Sequence, residues 1–294
     1  MKKGICQWSF PDKFSIRKCM ELAKDAGFEG IELVLGEKSY DRGEVGSRVD
    51  KELGTDAYRN DEFTIETPQS GIEKIAKMAK EIGIKICSVA STLPFRYPLT
   101  SKDKSVRKKT IEIAKIALEN VFILGGDTFL LIPGLVTEDV AYSDAYIRAK
   151  STIKELSATA KRFKVNIGIE NVWNKFLLSP LEMRNFIDEI NSEYVGAYFD
   201  IGNVLISGYP DQWIEILGRR IKKIHIKDFK GEIGNIRGFT TLLNGDLNWP
   251  KTIKALERIG YDNFLVAEIM PPYKFYPERL IYETSKSMDI ILNK

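Results

Sequence analysis

The stretch SGIEKIAKMAKEIGIKICSVAS, residues 70–91, holds one complete structural unit. Its first part is amphipathic at helical spacing, with Ser70 as the expected N-cap and Glu73 three residues on to close a capping box. Gly83 supplies the stop, because glycine alone enters the left-handed region at no steric cost. The run IKICSVAS that follows, residues 84–91, is short, apolar and β-rich, and reads as a strand.

The same plan recurs in both directions. SIRKCMELAKDAG (15–27) opens on Ser15 as N-cap and stops at Gly27. Further helices are expected at about 103–125, 143–163, 180–191, 210–219, 249–260 and 277–292. Strand runs fall at 3–9, 28–35, 84–91, 127–134, 165–171, 195–203, 221–229 and 264–270, which makes eight. Eight strand–helix units imply an α/β chain folded as one (β/α)8 barrel domain over 1–294. A doubly wound open sheet is the alternative. The first strand is followed by FPDKFS rather than by a glycine-rich phosphate turn, which argues against dinucleotide binding. One connection is out of scale: residues 36–67 form a long polar loop after strand 2, of the kind that covers active sites or stays a surface insertion.

Composition narrows the class. Lys and Arg total 44 against 41 Asp and Glu, a net charge of +3. That balance gives no broad positive field for nucleic acid. No stretch approaches the roughly 18 apolar residues of a membrane helix. MKKGICQWSF has no apolar run of signal length, so the cytoplasm is expected. Cys6, Cys19 and Cys87 are scattered and are read as reduced, buried thiols.

Barrel enzymes place chemistry at the C-terminal ends of their strands. Here those ends carry Glu170 after VNIGI, Asp200 after VGAYF and Glu268 after FLVA, with His225, the one histidine of the chain, inside IKKIHIKDF. Alone, a strand-end acid also serves as a helix cap or in an ion pair, and a strand histidine also serves as a hydrogen-bonded core residue. Three carboxylates buried together at one barrel mouth are costly unless a cation compensates them. Three carboxylates and an imidazole suit one divalent ion, with manganese the expected one and magnesium, cobalt and zinc admitted by the same donors.

The segments IENVWNKFLLSP, YFDIGNVLISGYP, IKKIHIKDF and FLVAEIM, together with GFEGIEL and FTIETPQSGIEKIAKMAKEIGIKICSVAS, resemble the sugar isomerase/epimerase superfamily with the xylose isomerase-like barrel. Within it they are similar to the D-tagatose 3-epimerase and L-ribulose-5-phosphate (L-xylulose-5-phosphate) 3-epimerase branch. The resemblance implies that Glu170, Asp200, His225 and Glu268 hold the metal, and that Glu170 and Glu268 are also the acid/base pair. Many members carry Asp-x-x-His on strand 6, where the histidine touches substrate; here Asn203 stands in that place, as in the sugar-phosphate branch. Arg237 matches a substrate-contacting arginine and Glu32, in GIEL, a mouth residue that can bond substrate.

The reaction so implied inverts C3 of a ketose or ketose phosphate through an enediolate, with aldose–ketose isomerisation as the alternative. A dehydratase or lyase and a non-catalytic sugar-binding protein on the same barrel are the further alternatives. The fold also carries zinc endonucleases for abasic DNA, whose three-metal cluster needs several histidines that this chain lacks. The loop STLPFRYPLTSKD (91–103) resembles that of pentulose-phosphate 3-epimerases and offers Arg96, Thr100 and Ser101, while Lys227 and Arg237 add charge near the mouth. Trp8, Trp173 and Phe95 are candidate apolar walls or plain packing. The expected partner is the small sugar, with a homodimer or homotetramer from family habit.

Overall fold

Local chemistry sets the helix ends in the computed structural model, which describes residues 1–38, 62–270, 273 and 275–293. Helix α1 (Ile16–Asp25) starts where the Ser15 hydroxyl accepts from the Lys18 amide at 3.2 Å. Helix α2 (Gln69–Ile82) starts earlier than Ser70 can cap it. Pro68 is the N-cap, with an extended backbone and no side-chain bond, and its carbonyl accepts from the amides of Gly71 and Ile72. Ser70 therefore lies inside the first turn, and Glu73 accepts from Gln69 at 2.8 Å instead of closing a capping box. Gly83 ends the helix in the left-handed region, with φ of 76°.

The remaining long helices are α3 (Lys104–Leu124), α4 (Tyr142–Phe163), α5 (Pro180–Ile190), α6 (Pro210–Leu217), α7 (Trp249–Arg258) and α8 (Glu278–Leu292). They alternate with strands β1 (Lys2–Cys6), β2 (Gly30–Leu35), β3 (Lys85–Ser91), β4 (Thr128–Leu131), β5 (Asn166–Glu170), β6 (Val195–Asp200), β7 (Ile221–Ile226) and β8 (Phe264–Ala267). All eight strands pair in parallel, and β8 closes on β1 to complete the barrel. Of the long loop expected at 36–67, residues 39–61 lie outside the described residues; its base is pinned by the Gly36 and Thr64 backbones.

Strand alternation gives the two faces different contents. On β6, Ala197 and Phe199 face outward into the layer shared with the helices, where Phe199 stacks on Trp213 of α6. Tyr198 and Asp200 face inward. The same parity puts Ile167 and Ile169 out and Glu170 in on β5, and Ile224 and Ile226 out and His225 in on β7. Gly168 is required on the inner face of β5, since a Cβ there would lie 2.9 Å from that of Tyr198. The barrel interior thus holds the polar set, beside the small apolar clusters of Cys6, Val34, Cys87, Phe264 and Val266 and of Ala90, Leu130, Ile132 and Tyr198.

Candidate active site

Register brings the four strand-end candidates together. Asp200 on β6 lies directly beside His225 on β7, and Val266, two residues before Glu268, pairs with His225 on its other side. One ligand-type atom from each of Glu170, Asp200, His225 and Glu268 falls within 4.8 Å of all the others. His225 Nδ1 faces this group, at 3.0 Å from Glu170 Oε1, 3.6 Å from Glu268 Oε2 and 3.9 Å from Asp200 Oδ2. The other ring nitrogen, Nε2, meets Glu32 Oε1 at 2.8 Å.

Asp200 is held rigidly. Its Oδ1 accepts from the Asn203 amide at 2.8 Å. The Asn171 side chain bonds the Asp200 backbone twice, accepting from its N–H at 2.9 Å and donating to its carbonyl at 2.8 Å. Asn203 closes the ring by donating its side-chain amide to the Asn171 carbonyl at 2.9 Å. Oδ2 of Asp200 is buried and has no hydrogen-bond partner, although the Lys227 ammonium approaches at 2.9 Å. The same ammonium bonds Glu268 Oε2 at 2.6 Å.

Electrostatics reflects the crowding. Burial, with Glu268 and Asp200 adding to it against the pull of His225, pushes the Glu170 carboxyl up to about 7. Burial opposes ionisation of Glu268 as well, but Lys227 and His225 outweigh it and hold that carboxyl at about 2. Burial raises the Asp200 carboxyl despite Lys227. Burial disfavours the imidazolium of His225, yet Glu32, Glu268 and Glu170 together raise it well above its ordinary value. A divalent charge at this point would reverse much of this balance. The donor set fits such an ion: three hard carboxylate oxygens and one imidazole nitrogen converge within 4.8 Å, with the Lys227 ammonium against two of the oxygens.

The cluster forms the floor of a cavity of about 400 Å³. Trp8, Trp173, Phe95, Asn203 and Lys227 line it, as do Glu170, His225 and Glu268. Trp173 is fixed by donation from its ring nitrogen to the Asn203 carbonyl at 2.8 Å and by packing on Phe239 with centroids 5.1 Å apart. Three candidate residues lie elsewhere. Glu32 is fully buried beneath the imidazole rather than at the mouth, where it also accepts from Tyr198 at 2.6 Å and Ser88 at 2.8 Å. Arg96 points to Glu37 at 3.4 Å, outside the lining. Arg237 is exposed on the segment after β7 and is not in the lining either. Thr100 bonds the Leu135 backbone, and Ser101 receives the Asp103 amide.

Sequence reading missed Asn171, Tyr198 and Ser88. Parity was the available signal for Tyr198, which sits two residues before Asp200 and so shares its inward face. Asn171 follows Glu170 directly, but nothing in IEN announces a bidentate grip on the neighbouring strand.

A family model described as xylose isomerase-like TIM barrel matches residues 20–289. The chain belongs to that family. Among curated relatives, an uncharacterized protein of Methanocaldococcus jannaschii is 27% identical over 57% of this chain and 59% of its own length, less than two thirds. The L-ribulose-5-phosphate 3-epimerase UlaE of Salmonella heidelberg is 24% identical over 88% of this chain and 83% of its own. A solved D-tagatose 3-epimerase-like protein superposes with a TM-score of 0.78 at 20% identity, covering 100% of this chain and 97% of that one, which establishes the shared fold. Among the described residues no helix is long and apolar enough to cross a membrane.

Proposed function

We propose that this barrel is a metal-dependent epimerase that inverts C3 of a ketose or ketose phosphate through an enediolate. The observation that carries the reading is the placement of two carboxylates, Glu170 and Glu268, in one cavity floor beside His225 and Asp200. The resemblance to L-ribulose-5-phosphate 3-epimerases and the epimerase-like solved neighbour support it.

Glu170, Asp200, His225 and Glu268 would hold the ion. Such an ion, manganese by preference, supplies charge that makes the C–H beside a ketose carbonyl acidic and stabilises the resulting enediolate. The protein does the rest. One glutamate takes the C3 proton and the other returns a proton to the opposite face of the planar carbon. Asn171 and Asn203 keep Asp200 in place while this happens, and Trp8, Trp173 and Phe239 give the cavity apolar walls.

The test is the fate of the C3 hydrogen in D₂O with the metal-loaded protein. Epimer carrying deuterium at C3 is the expected product from the wild type. Glu170→Gln and Glu268→Gln should each retain the fold and lose most inversion, and one of them should still exchange C3–H without inverting it. Near wild-type epimerisation in both variants would exclude the two-base scheme. Aldose in place of epimer would make the enzyme an isomerase.

A further inference from the structure

The order of strands places β3 and β4 across the barrel from β7 and β8. The wall on that far side is hydrocarbon. Ala90, Leu130 and Ile132 form a buried cluster on which Phe95 and Val172 pack, and all five side chains line the cavity. The corner shares one cavity with Glu170 and Glu268, so the rest of a ketose reacting there can reach it.

The Ser91 and Arg96 side chains near the corner are engaged elsewhere. The Ser91 hydroxyl donates to the Leu35 carbonyl at 3.0 Å and accepts from the Leu93 amide at 3.3 Å. Thr92 borders the corner as a single hydroxyl. Arg96 follows Phe95 but turns to Glu37 and lies over the Tyr97 ring. Lys227 is the one cation in the cavity lining among the described residues, and both Asp200 and Glu268 hold it at the opposite side. Among the described residues of the lining, a phosphate buried against Leu130 and Ile132 meets no counter-charge on its own side of the cavity. A hydroxyl against this hydrocarbon would give up water with the Thr92 hydroxyl as its neighbour at the border, whereas a methyl group gains by burial.

On the epimerase reading above, we propose that the substrate is an unphosphorylated ketose whose far end is a methyl group, a terminally deoxygenated sugar. Its methyl lies against Ala90, Leu130, Ile132, Phe95 and Val172. The walls select by excluding oxygen, so discrimination against the parent sugar is of the moderate kind that apolar pockets achieve, about 10- to 100-fold.

The experiment uses the metal-loaded protein with 6-deoxytagatose, tagatose and tagatose 6-phosphate, each in both enantiomeric series. Calorimetry reads binding, and C3 deuteration in D₂O reads chemistry. The expected result is tighter binding and a kcat/KM about 10- to 100-fold higher for the deoxy sugar than for its parent, with the phosphate last. Ala90→Ser, which brings one hydroxyl to the corner with little added volume, should shrink the deoxy-over-parent ratio severalfold. Equal or tighter binding of the parent or the phosphate would overturn the proposal, and deuterium at C3 in that case would leave the epimerase reading standing. Preferential binding of the deoxy sugar without C3 exchange would support the subsite and overturn the epimerase reading. A ratio unchanged in a folded Ala90→Ser protein, or no binding of any of the three, would also overturn the subsite.

Discussion

Glu32 shows how one residue's role depends on depth. On sequence it is a strand-end acid like Glu170 or Asp200, and such acids read as mouth residues. In the barrel its register with Cys6 and the irregularity between Ile31 and Glu32 set it beneath the imidazole, where the Tyr198, Ser88 and His225 groups converge on it. Burial opposes its ionisation, but His225, Tyr198 and Ser88 outweigh burial and hold the carboxyl below its usual value. A carboxylate behind a ligating imidazole fixes ring orientation and raises its basicity, and losing one commonly costs about 10- to 100-fold in metal affinity. Glu32→Gln is therefore expected to weaken divalent-ion binding by about that factor with the cavity intact, as read by calorimetric titration. Unchanged affinity would remove Glu32 from the positioning role. The convergence of Glu170, Asp200, His225 and Glu268 was legible because each follows or interrupts an apolar strand run. Arg96 and Arg237 were not placeable, because side-chain direction in a loop has no periodic signal.

Among the elements, the segment between β7 and α7 carries the cavity wall of Ile236, Phe239, Thr240 and Thr241, and it is organised by one buried acid. Asp228 Oδ1 accepts from the Phe229 amide at 3.0 Å and the Leu247 amide at 3.2 Å, while Oδ2 accepts from Leu243 at 3.1 Å and the Trp249 ring nitrogen at 3.1 Å. A short antiparallel pairing of 228–229 with 239–240 completes the support. Asp228→Asn would set an NH₂ group against donors that are already committed. It is expected to destabilise the protein by about 2–4 kcal/mol in urea unfolding, since each buried donor left unpaired costs about 1–3 kcal/mol. KM should rise as the wall loosens, and a variant with wild-type stability would show that the loop is held by other contacts. The sequence could not announce this, because HIKDF reads as continuous strand and its last two residues in fact leave the barrel. Regular elements were far easier to read. The long helices begin and end within a few residues of their expected limits, because caps such as Ser15 and stops such as Gly83 are local chemistry. Ser70 failed as a cap because Pro68 had already fixed the entry.

For the whole molecule, the charge set at the barrel mouth predicts a link between folding and a bound divalent ion. Glu32, Glu170, Asp200 and Glu268 face only His225 and Lys227 among the described residues at the site, four carboxylates against two cationic side chains. These groups come from β2 and from β5 through β8, so their repulsion bears on strands from both sides of the barrel rather than on one loop. An ion that binds only the folded barrel stabilises it by mass action, by about 2.7 kcal/mol when free ion is at 100 times its Kd. The entropy of unfolding scales with length at about 2 cal/mol/K per residue, so for 294 residues that increment is worth about 4 °C in Tm. Manganese added to chelator-treated protein is thus expected to raise Tm by about 4 °C at that excess, and further as the logarithm of concentration. His225→Ala should keep a cooperative transition yet lose the metal-dependent rise, because removing Nδ1 leaves three carboxylates without the nitrogen that completes the donor set. A His225→Ala protein whose Tm still climbs with manganese as the wild type does would place the ion elsewhere in the molecule.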